Sequence, residues 1–137
     1  MIMATITEDY VSYKVAKLLK EKGFNKPCEC AYSEGGQYLL SCYKGIVDRR
    51  IKNDETLNFS YSSTAPTLQM AMKWLREIHG LFISIDNDDL DYNWQIFDIK
   101  NRTKDLDPTC LTDSYAGYRK YEQACEAAIK YCLKNLI

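Results

Sequence analysis

The sequence predicts an α+β fold in the order helix, hairpin, helix, hairpin, helix. The two hairpins together form a mainly antiparallel four-stranded sheet, with the helices predominantly on one face. Three observations carry this expectation. Three segments repeat apolar residues at spacings of three and four, which puts them on one side of a helix. Two stretches between them read as pairs of short strands about a turn. A chain of 137 residues, 46% hydrophobic and 27% charged, has the composition of one soluble core.

The first helix starts at Ser12, whose hydroxyl can accept a first-turn N–H, and runs through Val15, Ala16, Leu18 and Leu19 to Gly23. The first hairpin spans Cys28 to Cys42 and turns at Glu34-Gly35-Gly36, where positive φ is tolerated. Pro66 pushes Ala65 toward extended geometry, so the second helix begins at Thr67 and closes at Gly80. The second hairpin pairs Leu81–Ile85 with Asn93–Ile99 across an acidic loop, Asp86–Asp91. The third helix carries Ala124, Cys125, Ala128, Ile129, Cys132 and Leu133. Lys120 is a poor cap, and Asp113 or Ser114 are alternative starts.

Two connections, 44–65 and 101–117, are long for a compact domain. In the first, Leu57–Tyr61 alternates and suggests a short edge strand. The expected core joins Leu19, Leu68, Ala71, Leu75, Ile78, Ala128, Ile129 and Leu133 to Leu40, Ile83, Ile85 and Ile96. Residues 1–137 form a single domain. Helix starts at 12, 67 and 120 raise a degenerate duplication of hairpin–helix units, about 24–80 and 81–137, although similar helix starts recur in any α+β protein.

A formal charge of −1 argues against a nucleic-acid-coating protein. No apolar run approaches a membrane span, and the first ten residues lack the pattern of a secretion signal, so a cytoplasmic protein with reduced thiols is expected. No nucleophile elbow or phosphate-cradling loop occurs, and the only histidine, His79, sits where a cation suits a helix C-terminus. No catalytic residue is assigned. Trp74, at helical spacing, reads as core.

Six cysteines are the one compositional excess. Cys28, Cys30 and Cys42 would converge on a hairpin, but they lack paired zinc-ligand spacing, and Cys125 and Cys132 read as small buried hydrophobes. Asp89, Asp91 and Asn93 match the start of a calcium loop, which fails at Trp94 and Lys100, where glycine and glutamate are required. No metal or cofactor is expected.

Charge is unevenly distributed. Residues 83–113 hold eight acidic and three basic side chains, a local balance of −5 that leaves +4 for the rest. Asp86, Asp88, Asp89 and Asp91 make one candidate partner surface, and Arg49, Arg50 and Lys52 a small basic one.

Three blocks resemble a known family: Ala16–Phe24, Ala65-Pro66-Thr67 through Trp74-Leu75-Arg76-Glu77, and Tyr121–Ile129. The family comprises small uncharacterised proteins of phages, prophages and mobile elements of Bacteroides-type gut bacteria. The resemblance extends from about Val11 to Ile137 and departs at Lys120, where serine or threonine is expected. It implies a phage-related accessory protein in bacterial cytoplasm and transfers no catalytic residue. The sequence therefore favours a non-enzymatic protein-binding module. The alternatives are a weak nucleic-acid binder using Arg49, Arg50, Lys52 and the last-helix lysines, and a structural homo-oligomer.

Overall fold

A computed structural model describes residues 6–41, 50–100, 109–114 and 117–137. The fold is α+β, with α1 (Tyr13–Glu21), β1 (Cys30–Ser33), β2 (Leu39–Ser41), β3 (Tyr61–Thr64), α2 (Leu68–His79), β4 (Leu81–Asp88), β5 (Asp91–Asp98), β6 (Thr109–Asp113) and α3 (Tyr121–Tyr131). Both expected caps form. Ser12 accepts from the Val15 N–H at 3.3 Å, Thr67 from the Met70 N–H at 3.1 Å, and Gly80 closes α2 at φ +64°. Lys120 makes no side-chain cap.

The strands form two three-stranded antiparallel sheets, ordered β2-β1-β3 and β4-β5-β6, rather than one four-stranded sheet. The extra strands, β3 and β6, come from the two long connections. Each is short and rich in serine or threonine, so hydrophobic alternation does not announce it, and pairing with β1 or β5 is what makes it a strand. The expected edge strand at Leu57–Tyr61 is displaced: Asn53–Phe59 is a 3₁₀ segment, Ser60 turns the chain at φ +62°, and β3 begins at Tyr61. The central strand comes first in one sheet and second in the other, so the two halves differ in strand order.

α3 lies at the centre of the packing and contacts α1, α2, β4 and β5. Its inward face is Ala124, Cys125, Ala128 and Ile129, continued by Cys132 and Leu133 in a terminal π turn, all fully buried. Small side chains there let neighbouring backbones approach closely. Glu126 accepts the Ser12 N–H at 3.0 Å, and Lys22 Nζ donates to the Ile137 carbonyl at 2.7 Å. These two bonds tie α1 alongside α3. Val15, Ala16 and Leu19 of α1 and Leu68, Ala71, Trp74 and Leu75 of α2 complete the helix side.

Cross-strand register puts Leu81, Ile83 and Ile85 on the same face as Trp94 and Ile96, toward the helices, where Trp94 packs on Tyr131 at 5.3 Å. The expected core needs two corrections. Ile78 is 57% exposed and Leu40 40% exposed. Ile78 sits on the outer side of the last turn of α2, and Leu40 lies on the edge strand of the first sheet. Ile83 and Ile85 are only half-buried, packed against the rim of the core.

The first sheet is fastened by a buried polar clamp. Asn53 Nδ2 donates to the Phe24 carbonyl at 2.7 Å while its Oδ1 accepts the Thr64 N–H at 2.8 Å. Lys20 Nζ reaches Thr56 Oγ1 at 3.0 Å and the Ser62 carbonyl at 2.7 Å. One amide thus joins the end of α1 to β3. Asn53→Ala strands a buried N–H and a buried carbonyl, and should cost about 1–3 kcal/mol. Urea denaturation checks this, with a lower midpoint at an unchanged slope.

Candidate functional site

The acidic hairpin is longer and tighter than its sequence suggests. β4 continues to Asp88 and β5 starts at Asp91, leaving Asp89 and Leu90 as a two-residue turn with Asp89 at φ +50°. Short polar side chains tolerate that left-handed conformation better than most. The expected loop Asp86–Asp91 is therefore mostly strand. This orders the carboxylates: Asp86 and Asp88 alternate onto the sheet face away from the helices, opposite Asn93 and Asp91. β6 adds Asp113 opposite Gln95.

The result is an open basin of about 470 Å³ on the outer face of the second sheet. Asp86, Asp88, Asp91 and Asp113 line it together with Asn93, Gln95 and Ser114, and among the described residues no basic side chain contributes. Farther along the same face Phe82, 39% exposed, lies opposite Phe97 with ring centroids 6.5 Å apart. One surface thus joins an anionic end to an aromatic end. Asp89, on the turn, does not line the basin.

The basic cluster is not held together in the same way. Arg49 lies outside the described residues. Arg50 lines a different depression, and Lys52 stands at the start of the 3₁₀ segment, where its backbone N–H donates to Glu55 Oε1 at 3.2 Å. The depression lined by Arg50 is a cleft of about 380 Å³ between the N-terminal segment, the bend at Pro27–Glu29 and the first turns of α2. Glu8, Glu29 and Lys73 stand on its walls, and Cys28, Ala65, Pro66 and Met70 supply its apolar surface. Tyr10 is held there by the antiparallel bridge to Thr67. A polar contact with the Cys30 thiol, then burial, push the Tyr10 phenol up to about 12, with Glu29 and Glu8 adding to the effect. Sequence reasoning missed this cleft. Its residues come from four separate segments, and only the capped start of α2 carries a local signal.

Packing accounts for Cys28, Cys125 and Cys132, which are buried, whereas Cys110 is exposed. Burial pushes Cys125 up to about 11 and Cys132 up to about 12, so both stay protonated at neutral pH and are poor nucleophiles. Cys28 is buried beside Ile51 and donates weakly to the Lys26 carbonyl at 3.4 Å. Burial also raises Cys30. Cys42 lies outside the described residues. Among the described residues no three His, Cys, Asp or Glu side chains are grouped to hold a metal, and no helix is long and apolar enough to cross a membrane.

His79 departs from the expectation of a helix-end cation. Its ring packs edge-on against Trp74 at 4.7 Å, and its Nε2 is buried without a partner. Burial, then the Lys100 charge, lowers its pKa. The neutral imidazole is therefore the folded form, and packing outweighs the helix dipole.

Comparison with family models, characterised proteins and solved structures gives no match.

Two outcomes follow from this geometry. Because His79 titrates lower when folded, the unfolded chain takes up its proton first as pH falls below about 6.5. That contribution to stability is present above this pH and is lost on acidification toward the folded pKa. His79→Gln should flatten the slope between pH 7 and 5 in thermal unfolding. Asp88 and Asp91 form a directly opposed like-charge pair. Asp88→Asn should therefore stabilise the fold at low salt, at the low end of the about 0.2–1 kcal/mol of exposed cross-strand pairs, and less at high salt.

Proposed function

We propose that this chain is a non-enzymatic binding module, an accessory protein of a phage or mobile element, that receives a basic protein partner on the outer face of its second sheet. One observation carries the reading. Four carboxylates from three strands share a basin with no basic side chain in its lining among the described residues, and farther along the same sheet face the exposed Phe82 stands against the half-buried Phe97. Anionic and aromatic groups on a rigid sheet suit a partner that offers lysine or arginine around an apolar anchor. The carboxylates steer the encounter and the phenylalanines supply desolvated contact. The phage-related origin rests on the resemblance of the Ala65–Glu77 block.

Nucleic-acid binding is the weaker reading. Arg50 shares its cleft with Glu8 and Glu29, so the local field is balanced rather than basic.

Affinity capture from bacterial lysate at about 0.15 M salt tests the proposal. Wild-type protein should retain a basic protein that the triple variant Asp86→Asn, Asp88→Asn, Asp113→Asn loses, and rising salt should weaken the wild-type complex. Retention of the same partner by the triple variant, or capture of nucleic acid alone, would refute the reading.

A further inference from the structure

We propose, on the strength of the basic-partner reading above, that the open edge of β4 takes up an extended basic segment of that partner as an antiparallel fourth strand of the second sheet. Among the described residues, β4 pairs with β5 on one side and with no strand on the other. It runs eight residues, where the other edge strands, β2, β3 and β6, run three, four and five. It carries no proline, no lysine and no register shift, which are common ways of blunting an edge.

The ladder fixes which backbone groups face outward. Ile99 N–H donates to the Gly80 carbonyl at 2.9 Å, so that pair is a hydrogen-bonded one. On β5, Tyr92 exchanges both backbone bonds with Tyr118, and the Trp94 carbonyl accepts the Ser114 N–H on the β6 side. By antiparallel alternation Phe82, Ser84, Asp86 and Asp88 bond to β5, and the N–H and C=O groups of Leu81, Ile83, Ile85 and Asn87 point away from it. Burial agrees. Ile83 and Ile85 face the helices yet are only half-buried, whereas their cross-strand neighbours Ile96 and Trp94 are buried. The cover they lack is on the flank beyond β4.

The side chains select the occupant. A strand laid against β4 places every second side chain beside Phe82, Ser84, Asp86 and Asp88, and the others beside Ile83 and Ile85. Lysine or arginine in the first set meets two carboxylates, one of which, Asp88, already stands opposite Asp91. Valine or isoleucine in the second set extends the apolar inner face. A second copy of this chain, centred and antiparallel, would lay Asp86 and Asp88 beside the Phe82 end of the other β4 and leave them without a counter-charge.

The test adds two peptides to the ¹⁵N-labelled full chain: acetyl-Lys-Val-Lys-Val-Lys-Val-Lys amide, and the same peptide N-methylated at its valines. In antiparallel pairing the valine N–H groups donate to β4, so methylation removes donors and keeps the charge. The unmethylated peptide should bind saturably and slow amide hydrogen exchange at Leu81, Ile83, Ile85 and Asn87, while Ser84 and Asp86, already bonded to β5, change less. The N-methylated peptide should bind about tenfold more weakly or worse, the loss expected for several backbone hydrogen bonds. No saturable binding, equal binding of the two peptides, or protection without that alternation would overturn strand addition and leave the acidic-basin reading standing. Protection of the same four amides without peptide, rising with protein concentration, would assign the edge to a second copy and overturn the proposal as well. A lysate that yields no basic protein would sink the earlier reading without touching the alternation in protection, so the two failures are distinguishable.

Discussion

The close approach made possible by the small residues of α3 is the constraint on which the rest of the structure depends. Ala124, Cys125, Ala128 and Cys132 are fully buried where α1, α2 and the second sheet converge. Larger side chains at these positions would push the elements apart, and overpacked cores lose stability about as readily as cavities do. Beside that face, Glu126 accepts the Ser12 N–H and the Ile137 carbonyl accepts from Lys22, which aligns α1. Because Val11 follows Tyr10 and donates to the Pro66 carbonyl at 3.0 Å, the register of α1 also places the N-terminal edge of the cleft. A packing decision at the centre thereby positions a surface at the periphery.

Burial of this kind also explains the chemistry of the two cysteines of the α3 face. Thiols that a sequence count presents as a possible metal or redox set are, for Cys125 and Cys132, small apolar fillers whose ionisation is suppressed by the lack of solvent. His79 follows the same logic, since a ring packed on Trp74 gains contact and loses its charge. In both cases the environment, rather than residue type, decides reactivity.

The fold was legible where local signals and tertiary packing agree. Ser12, Thr67 and Gly80 act at the helix ends as their types suggest, and the amphipathic faces of α1, α2 and α3 point inward. It was illegible where pairing is nonlocal. Tyr61–Thr64 and Thr109–Asp113 have weak alternation, and their strand character comes from β1 and β5. The missing strands changed the predicted single sheet into two. The acidic surface was legible as composition but not as shape: of the expected Asp86, Asp88, Asp89 and Asp91, Asp89 stays on the turn, and Asp113 joins the other three only through the β5–β6 register. The cleft had no sequence signature, because Glu8, Glu29 and Lys73 are brought together by the turn into β1 and the start of α2.

The acidic basin follows from how the second sheet is packed. The helices occupy one face of the second sheet, so its other face must be solvated, and alternation fills that face with whatever the strands carry at every second position. In β4 and β5 those positions are Phe82, Ser84, Asp86 and Asp88 paired with Phe97, Gln95, Asn93 and Asp91. An opposed Asp88–Asp91 pair is unfavourable for folding, and solvating the face requires no such pair, since serine or threonine would serve. Retaining like charges at the tip while exposing aromatics at the base makes sense for a surface whose energetics are completed by a cationic partner. The inner face carries the structural duty instead: Leu81, Trp94 and Ile96 close the interior against the helices, which leaves the outer positions of the same strands free to carry charge.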